Sequence, residues 1–234
     1  MAKSPPAEST LRTHFEAARA ERALARATAT SAADRLAVRM YQQARLAKTH
    51  TDLLASQKFG PAAKFFLTEL YSIEDLAQRD ADIERVIRIL VKFLPEKALI
   101  TLAAALEMDA LSELLDSKLA ATLRSTQSSR LPLNINPTSY KAAYVSMGNF
   151  DLRVRQLELT EEIGLALDKL ARMPLLMTLL RVMRGPAAAG GVGGLHDFLE
   201  RGYAAFAHMK GGREFIDAIV SRERAVHGEL TERR

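Results

Sequence analysis

The spacing of apolar residues is helical over most of the chain, and it is most regular between residues 59 and 116. Within this stretch, apolar residues recur at intervals of three and four on one side of a helix, at Ile83, Val86, Ile87, Leu90, Val91 and Leu94. Pro95 ends this helix, because a proline lacks the N–H that a helix interior requires, and it can also begin the next helix. The pattern therefore predicts that residues 59–116 form the core that the other helices cover.

The helical period continues outside this core and divides the chain into three parts. Residues 1–9 contain two prolines and several small polar residues, which predicts a disordered tail. Residues 10–58 have the spacing of two helices, or of one long helix with a break near Thr28, and form an N-terminal arm. Residues 59–234 then form the helical core domain.

The last part of the core contains two predicted helices separated by a short turn. They run from about Leu195 to Met209 and from about Arg213 to Glu232. Because the turn is short, we expect the two helices to pack antiparallel as a helical hairpin. No segment has the alternation of a strand. The sequence therefore predicts an all-α fold, a single multi-helix bundle of about eight or nine helices with an N-terminal basic helical arm.

Four short blocks within residues 65–116 carry a family resemblance. They follow one another in the order FFLTELYS, RDADIERV, FLPEKAL and ALEMDALSELLD. Together they resemble a family of bacterial all-helical proteins that is known only as a domain of unknown function. The resemblance implies a helical fold, and it implies no activity, cofactor or catalytic residue.

Composition limits the cellular setting and the available chemistry. The chain of 234 residues contains no cysteine, which excludes disulfides, thiolate metal sites and a cysteine nucleophile. The longest uncharged apolar run has nine residues, at 98–106, whereas a membrane-spanning helix needs roughly 18. The first residues lack the apolar segment of a signal peptide. We therefore expect a cytoplasmic protein without a membrane partner.

Positive charge is concentrated in the N-terminal arm. Residues 1–58 hold ten Lys and Arg against five Asp and Glu, while residues 59–234 hold 23 of each. An arginine-rich arm can contact an anionic partner such as a nucleic acid, and the candidate residues are Arg12, Arg19, Arg22, Arg26, Arg35, Arg39 and Arg45. The alternative is a solvated helix face, which the lack of interleaved aromatic residues favours.

Two pairs of residues in the last two predicted helices are candidate metal ligands. Glu223 and His227 stand four residues apart, as do His196 and Glu200, so each pair shares one helix face. An antiparallel hairpin would bring the two pairs to the same level. Two imidazoles and two carboxylates at one level of a bundle can bind a transition metal.

The pair Glu223 and His227 resembles the carboxylate-x-x-x-His element in the last ligand helix of haem-oxygenase-like di-iron oxidases. The resemblance covers one helix, and it implies a metal- or haem-dependent oxidoreductase with iron, manganese or haem. Glu69 and Glu107 lie near apolar helix faces and could supply further ligands. The alternative needs no cofactor, because Glu223 can pair with Arg222 or another arginine.

A second candidate surface is the charged cluster in the RDADIERV block, formed by Arg79, Asp80, Asp82 and Glu84. The alternative for this cluster is a helix cap with ion pairs. The glycine-rich segment 190–194 has neither nucleotide-binding pattern and indicates a hinge, and no GxSxG nucleophile turn is present. We therefore predict a non-catalytic helical protein that acts by protein–protein interaction, with a partner protein or as a homo-oligomer.

Overall fold

A computed structural model describes residues 5–70, 87, 96–127, 132–190 and 193–232. Of these residues, 88% are helical and none lies in a strand. The prediction of an all-α fold is confirmed. No helix in the described part of the chain is both long enough and apolar enough to cross a membrane.

The described helices are numbered α1 to α10 in chain order. The first four are α1 (Pro5–Arg26), α2 (Ala29–Thr49), α3 (Thr51–Ala55) and α4 (Gly60–Phe65), and a π-helical turn at Phe66–Leu70 extends α4. The remaining helices are α5 (Glu96–Thr126), α6 (Pro137–Met147), α7 (Phe150–Ala171), α8 (Pro174–Ala189), α9 (Gly193–His208) and α10 (Arg213–Thr231).

Local sequence explains where the N-terminal helices begin and end. The predicted break near Thr28 is confirmed, because the Thr28 side chain accepts a hydrogen bond from the backbone N–H of Ser31 and caps α2. The helix before it begins at Pro5, so the prediction of a disordered tail is wrong for residues 5–9. A proline is compatible with the first turn of a helix, where its missing N–H has no partner to lose.

The N-terminal arm packs on the rest of the chain. Helix α1 lies along α5, and its Leu11 and Phe15 are buried against Leu99 and Leu106. Helix α2 buries Val38 in a second cluster with the C-terminal half of α5 and with α6. Residues 5–49 therefore form part of the body of the protein.

A third apolar cluster joins α3, α4, α7, α9 and α10. At Gly164, helices α7 and α10 of this cluster approach so closely that no side chain fits between them. A Cβ atom on Gly164 would lie 2.9 Å from Cγ1 of Ile216, which is closer than side-chain carbons approach each other. The missing side chain of Gly164 therefore sets the distance between α7 and α10.

The last two helices do not form the predicted antiparallel hairpin. Helix α9 packs against α8, α4 and α7, whereas α10 packs against α7 and α6. The turn between α9 and α10 contains Lys210 and Gly211 at positive φ, and the backbone N–H of Gly212 donates to the Asp168 carboxylate at 2.6 Å. This bond fixes the turn to the end of α7, so α10 leaves along α7 and not along α9.

A buried group of ion pairs ties α1 and α2 to α5. The Glu113 side chain of α5 is 2% exposed and accepts hydrogen bonds from Arg22, Arg35 and Arg39. Arg35 also donates to the backbone carbonyl of Glu113 at 2.9 Å. A buried carboxylate is tolerated when several cationic donors surround it. Glu113 therefore holds the arm and the core together.

We expect Glu113→Gln to lower the free energy of unfolding by about 3–5 kcal/mol, because it removes the buried carboxylate charge that Arg22, Arg35 and Arg39 share. Chemical denaturation followed by circular dichroism measures this loss. The matched control on the same helix is Glu107→Gln, which breaks a partly exposed pair with Arg155 and should cost about 1 kcal/mol or less. Equal losses in the two variants would contradict the central role of Glu113.

Candidate functional site

A group of polar and aromatic side chains surrounds Glu223 on α10. Its carboxylate accepts two hydrogen bonds from the Arg45 guanidinium, at 3.1 and 2.7 Å. Nε2 of His50 lies 3.1 Å from the same carboxylate. Arg45 belongs to the last turns of α2, and His50 is the residue between α2 and α3. Glu223 therefore connects α10 to the α2–α3 junction.

These contacts determine the direction in which the pKa of the Glu223 carboxyl is shifted. Burial by itself would raise the pKa of the Glu223 carboxyl, but hydrogen bonds from His50 and Arg45 outweigh burial and lower it. The group is therefore a carboxylate at neutral pH. Its oxygens accept donors from the protein's own side chains, which is the arrangement expected of a structural ion pair.

One turn further along α10, His227 is bound to Tyr144 of α6. The hydroxyl oxygen of Tyr144 lies 2.7 Å from Nδ1 of His227, and the ring of Phe150 lies 6.1 Å from the imidazole. Burial raises the pKa of Tyr144 to about 12. Burial also lowers the pKa of His227, and the nearby charge of Arg153 lowers it further. Both partners are therefore neutral at pH 7 and share a single hydrogen bond.

The structure does not group the four predicted metal ligands together among the described residues. His196 and Glu200 lie on α9, where Glu200 accepts a hydrogen bond from Arg184 of α8 at 2.6 Å. Glu223 and His227 lie on α10, which does not pack along α9. Within the described part of the chain, no three His, Asp or Glu side chains are grouped as metal ligands. Iron, manganese or haem binding stays a prediction.

The two additional candidate ligands are also engaged in ion pairs. Glu107 binds Arg155 of α7 through both carboxylate oxygens, at 2.8 and 2.9 Å. Glu69, in the π-helical turn, binds Arg201 of α9 at 3.2 and 3.0 Å. The interpretation that Glu223 pairs with an arginine is confirmed, with Arg45 as that arginine.

The structure divides the seven candidate arginines of the arm into two groups. Arg22, Arg35 and Arg39 bind Glu113, and Arg45 binds Glu223, so these four point into the protein. The other three lie on α1, where Arg12 pairs with Glu8 and where Arg19 and Arg26 are exposed. The second candidate surface, formed by Arg79, Asp80, Asp82 and Glu84, lies outside the described residues.

Three members of the site were not recognised from sequence as partners of Glu223 and His227. His50 is separated from Glu223 by 173 positions, and no spacing rule connects residues across that distance. Tyr144 follows Tyr140 at helical spacing, which signals a buried face but not a hydrogen bond to His227. Arg153 lies in the second turn of α7 and resembled an ordinary surface arginine.

Fold and site together define a class of protein: an all-α domain whose helices are joined by buried ion pairs. Residues 21–234 match a family model described as Domain of unknown function (DUF8198), and the chain belongs to this family. The resemblance seen in the four sequence blocks is thereby confirmed. No curated protein and no solved structure matches the chain.

We expect His227 to make stability depend on pH between about 7 and 5. Because the pKa of His227 is lowered in the folded protein, the unfolded chain binds a proton more readily, and stability falls as pH drops below the ordinary value of 6.5. His227→Gln should remove the part of the stability loss that comes from protonation of His227. Urea denaturation at pH 7, 6 and 5 measures the effect.

The matched control for this experiment is His208→Gln, whose ring is exposed near the end of α9. This variant should retain the pH dependence of the wild type. A His227→Gln variant with the same pH dependence as the wild type would show that His227 is not held neutral by its surroundings.

Proposed function

We propose that the protein acts by protein–protein contact, without catalysis, and that it assembles with a second copy of itself through α8. The observation that supports this proposal is the exposure of apolar side chains on α8. Leu179, Val182 and Met183 are 50%, 66% and 41% exposed. Among the described helices, none has more large apolar side chains in the exposed class.

The three side chains form a continuous apolar strip. At about 100° per residue, Leu179, Val182 and Met183 lie within an arc of about 100° on the α8 surface. The two charged residues of the helix, Arg181 and Arg184, lie outside this arc. Arg184 faces α9, where it binds Glu200. The strip is therefore apolar and carries no charge of its own.

The position of α8 supports the same proposal. Within the described part of the chain, α8 packs mainly against α9 and makes only slight contact with α7. Most of the other long helices bury their apolar side chains within the three clusters, as the amphipathic pattern requires. An apolar helix face that has one close neighbour among the described helices is typical of a surface that another molecule covers.

We favour a second copy over an unrelated partner because the strip is uncharged. In a symmetric dimer the same surface faces itself, so a charged strip would oppose like charges. Two copies of the α8 strip can face each other without repulsion between like charges. Self-assembly also agrees with the inward direction of four arm arginines, which leaves fewer cationic groups for nucleic acid. The cytoplasmic location stays a prediction from composition.

The test is the mass of the protein in solution, measured by light scattering and sedimentation velocity. We expect the wild type to assemble beyond the 25.8 kDa of one chain. Val182→Glu should weaken assembly by at least about tenfold, because it buries an unpaired carboxylate in the contact. The matched control is Ile100→Glu, at a 63% exposed apolar residue on α5, which should assemble as the wild type does.

Two results would overturn this proposal. One is a wild type that remains a single chain at the highest concentration reached. The other is a Val182→Glu variant that assembles as strongly as the wild type. In the first case, photo-crosslinking from position 179 would show whether a different protein covers the strip.

A further inference from the structure

Arg153 of α7 is a buried cation whose side chain is only partly satisfied by the protein. It is 8% exposed. Its Nη1 donates to Oε1 of Gln156 at 3.0 Å, and its Cζ lies 5.2 Å from the centre of the Tyr144 ring. Its Nε and Nη2 atoms are both buried and have no hydrogen-bond acceptor among the described residues. Two adjacent donors of one buried guanidinium therefore lack a partner.

Other arginines of this protein use the same two donors to bind carboxylates. Arg155 holds both oxygens of Glu107 through Nε and Nη2, at 2.8 and 2.9 Å. Arg201 holds Glu69, and Arg124 holds Asp34, through the same pair of atoms. This edge of the guanidinium matches two oxygens of a carboxylate or phosphate. In Arg153, only two residues from Arg155, the edge has no such partner among the described residues.

Charge around Arg153 favours an anion. The buried cluster beside it contains four guanidinium groups and three carboxylates, from Arg22, Arg35, Arg39, Arg153, Asp109, Glu113 and Asp116. Arg153 interacts electrostatically with the Asp116 carboxylate. Asp116 also lies 3.8 Å from Arg35 and 3.7 Å from Arg39. Asp116 therefore interacts with several guanidinium groups at once, and Arg153 is not its only cationic neighbour.

The surroundings of Arg153 include the turn between α6 and α7. Arg153 lies near the start of α7, directly after the α6–α7 turn at Gly148 and Asn149. The Asn149 side chain does not cap α7 and instead accepts a hydrogen bond from Lys118 at 3.2 Å. The positive end of α7 and the Lys118 ammonium both add to the attraction for an anion. Phe150 is exposed beside them.

We propose that Arg153 is the recognition group of an oxyanion-binding site at the start of α7. The ligand is a small molecule that presents two neighbouring oxygens, as a carboxylate or a phosphate does. Nε and Nη2 of Arg153 each donate one hydrogen bond to it, and the Tyr144 ring supports the guanidinium from one side. The site is distinct from the α8 strip, so it does not depend on self-assembly.

The experiment is thermal unfolding of the full chain with three salts at equal ionic strength: sodium phosphate, sodium acetate and sodium chloride. A ligand present at ten times its dissociation constant should raise Tm by about 3–6 °C relative to chloride. A rise with phosphate alone assigns a phosphate ligand, and a rise with acetate alone assigns a carboxylate ligand. Equal Tm values in all three salts would overturn the proposal.

The matched variants are Arg153→Lys and Arg155→Lys. Lysine preserves the positive charge near Asp116 but lacks the paired N–H groups of the guanidinium edge. We expect Arg153→Lys to lose the anion-dependent rise in Tm and Arg155→Lys to retain it. A rise that persists in Arg153→Lys would place the anion elsewhere and overturn the assignment. If Arg153→Lys does not fold, calorimetric titration of the wild type decides, because the proposal requires saturable binding of one anion per chain.

Discussion

The buried carboxylate of Glu113 is the interaction on which the arrangement of the helices depends. It gathers arginines from α1 and α2 onto α5, in a place where water cannot replace a lost partner. An apolar contact could slide by one turn at a small cost, but a buried ion pair requires its partners in one register. The apolar clusters supply most of the burial, and Glu113 selects which faces of α1 and α2 turn inward.

The fold class could be predicted from sequence because helical periodicity is a local property. It located α9 and α10, and it placed the break between α1 and α2 near Thr28. Four of the seven arm arginines point inward, which was not predicted because charge was taken as a sign of exposure. Arg35 and Arg39 are four residues apart and share a face with Val38 and Gln42, which are buried. Their helical spacing relative to Val38 indicates an inward-facing position, whereas their charge suggests an exposed one.

The predicted pairing of α9 with α10, which would have brought the candidate metal ligands together, is absent for a different reason. Spacing of four residues places Glu223 beside His227 on one face of α10, but it does not determine which helix that face meets. That choice depends on a turn with two residues at positive φ and on the bond from Gly212 to Asp168. Neither feature is periodic, so the partners of Glu223 came from α2 and from the residue that follows it, more than 170 positions away.

The close contact of Gly164 with Ile216 joins α7 to α10, so a change in α7 can be observed on α10. Helix α7 carries Arg153 near its start and meets α10 at Gly164, while α10 carries Glu223 and His227. With no space for sliding at the glycine, a displacement of α7 carries α10 with it. The His227 imidazole ring, whose NMR signals are resolved from the aliphatic core, is thus a natural spectroscopic reporter on the state of α7.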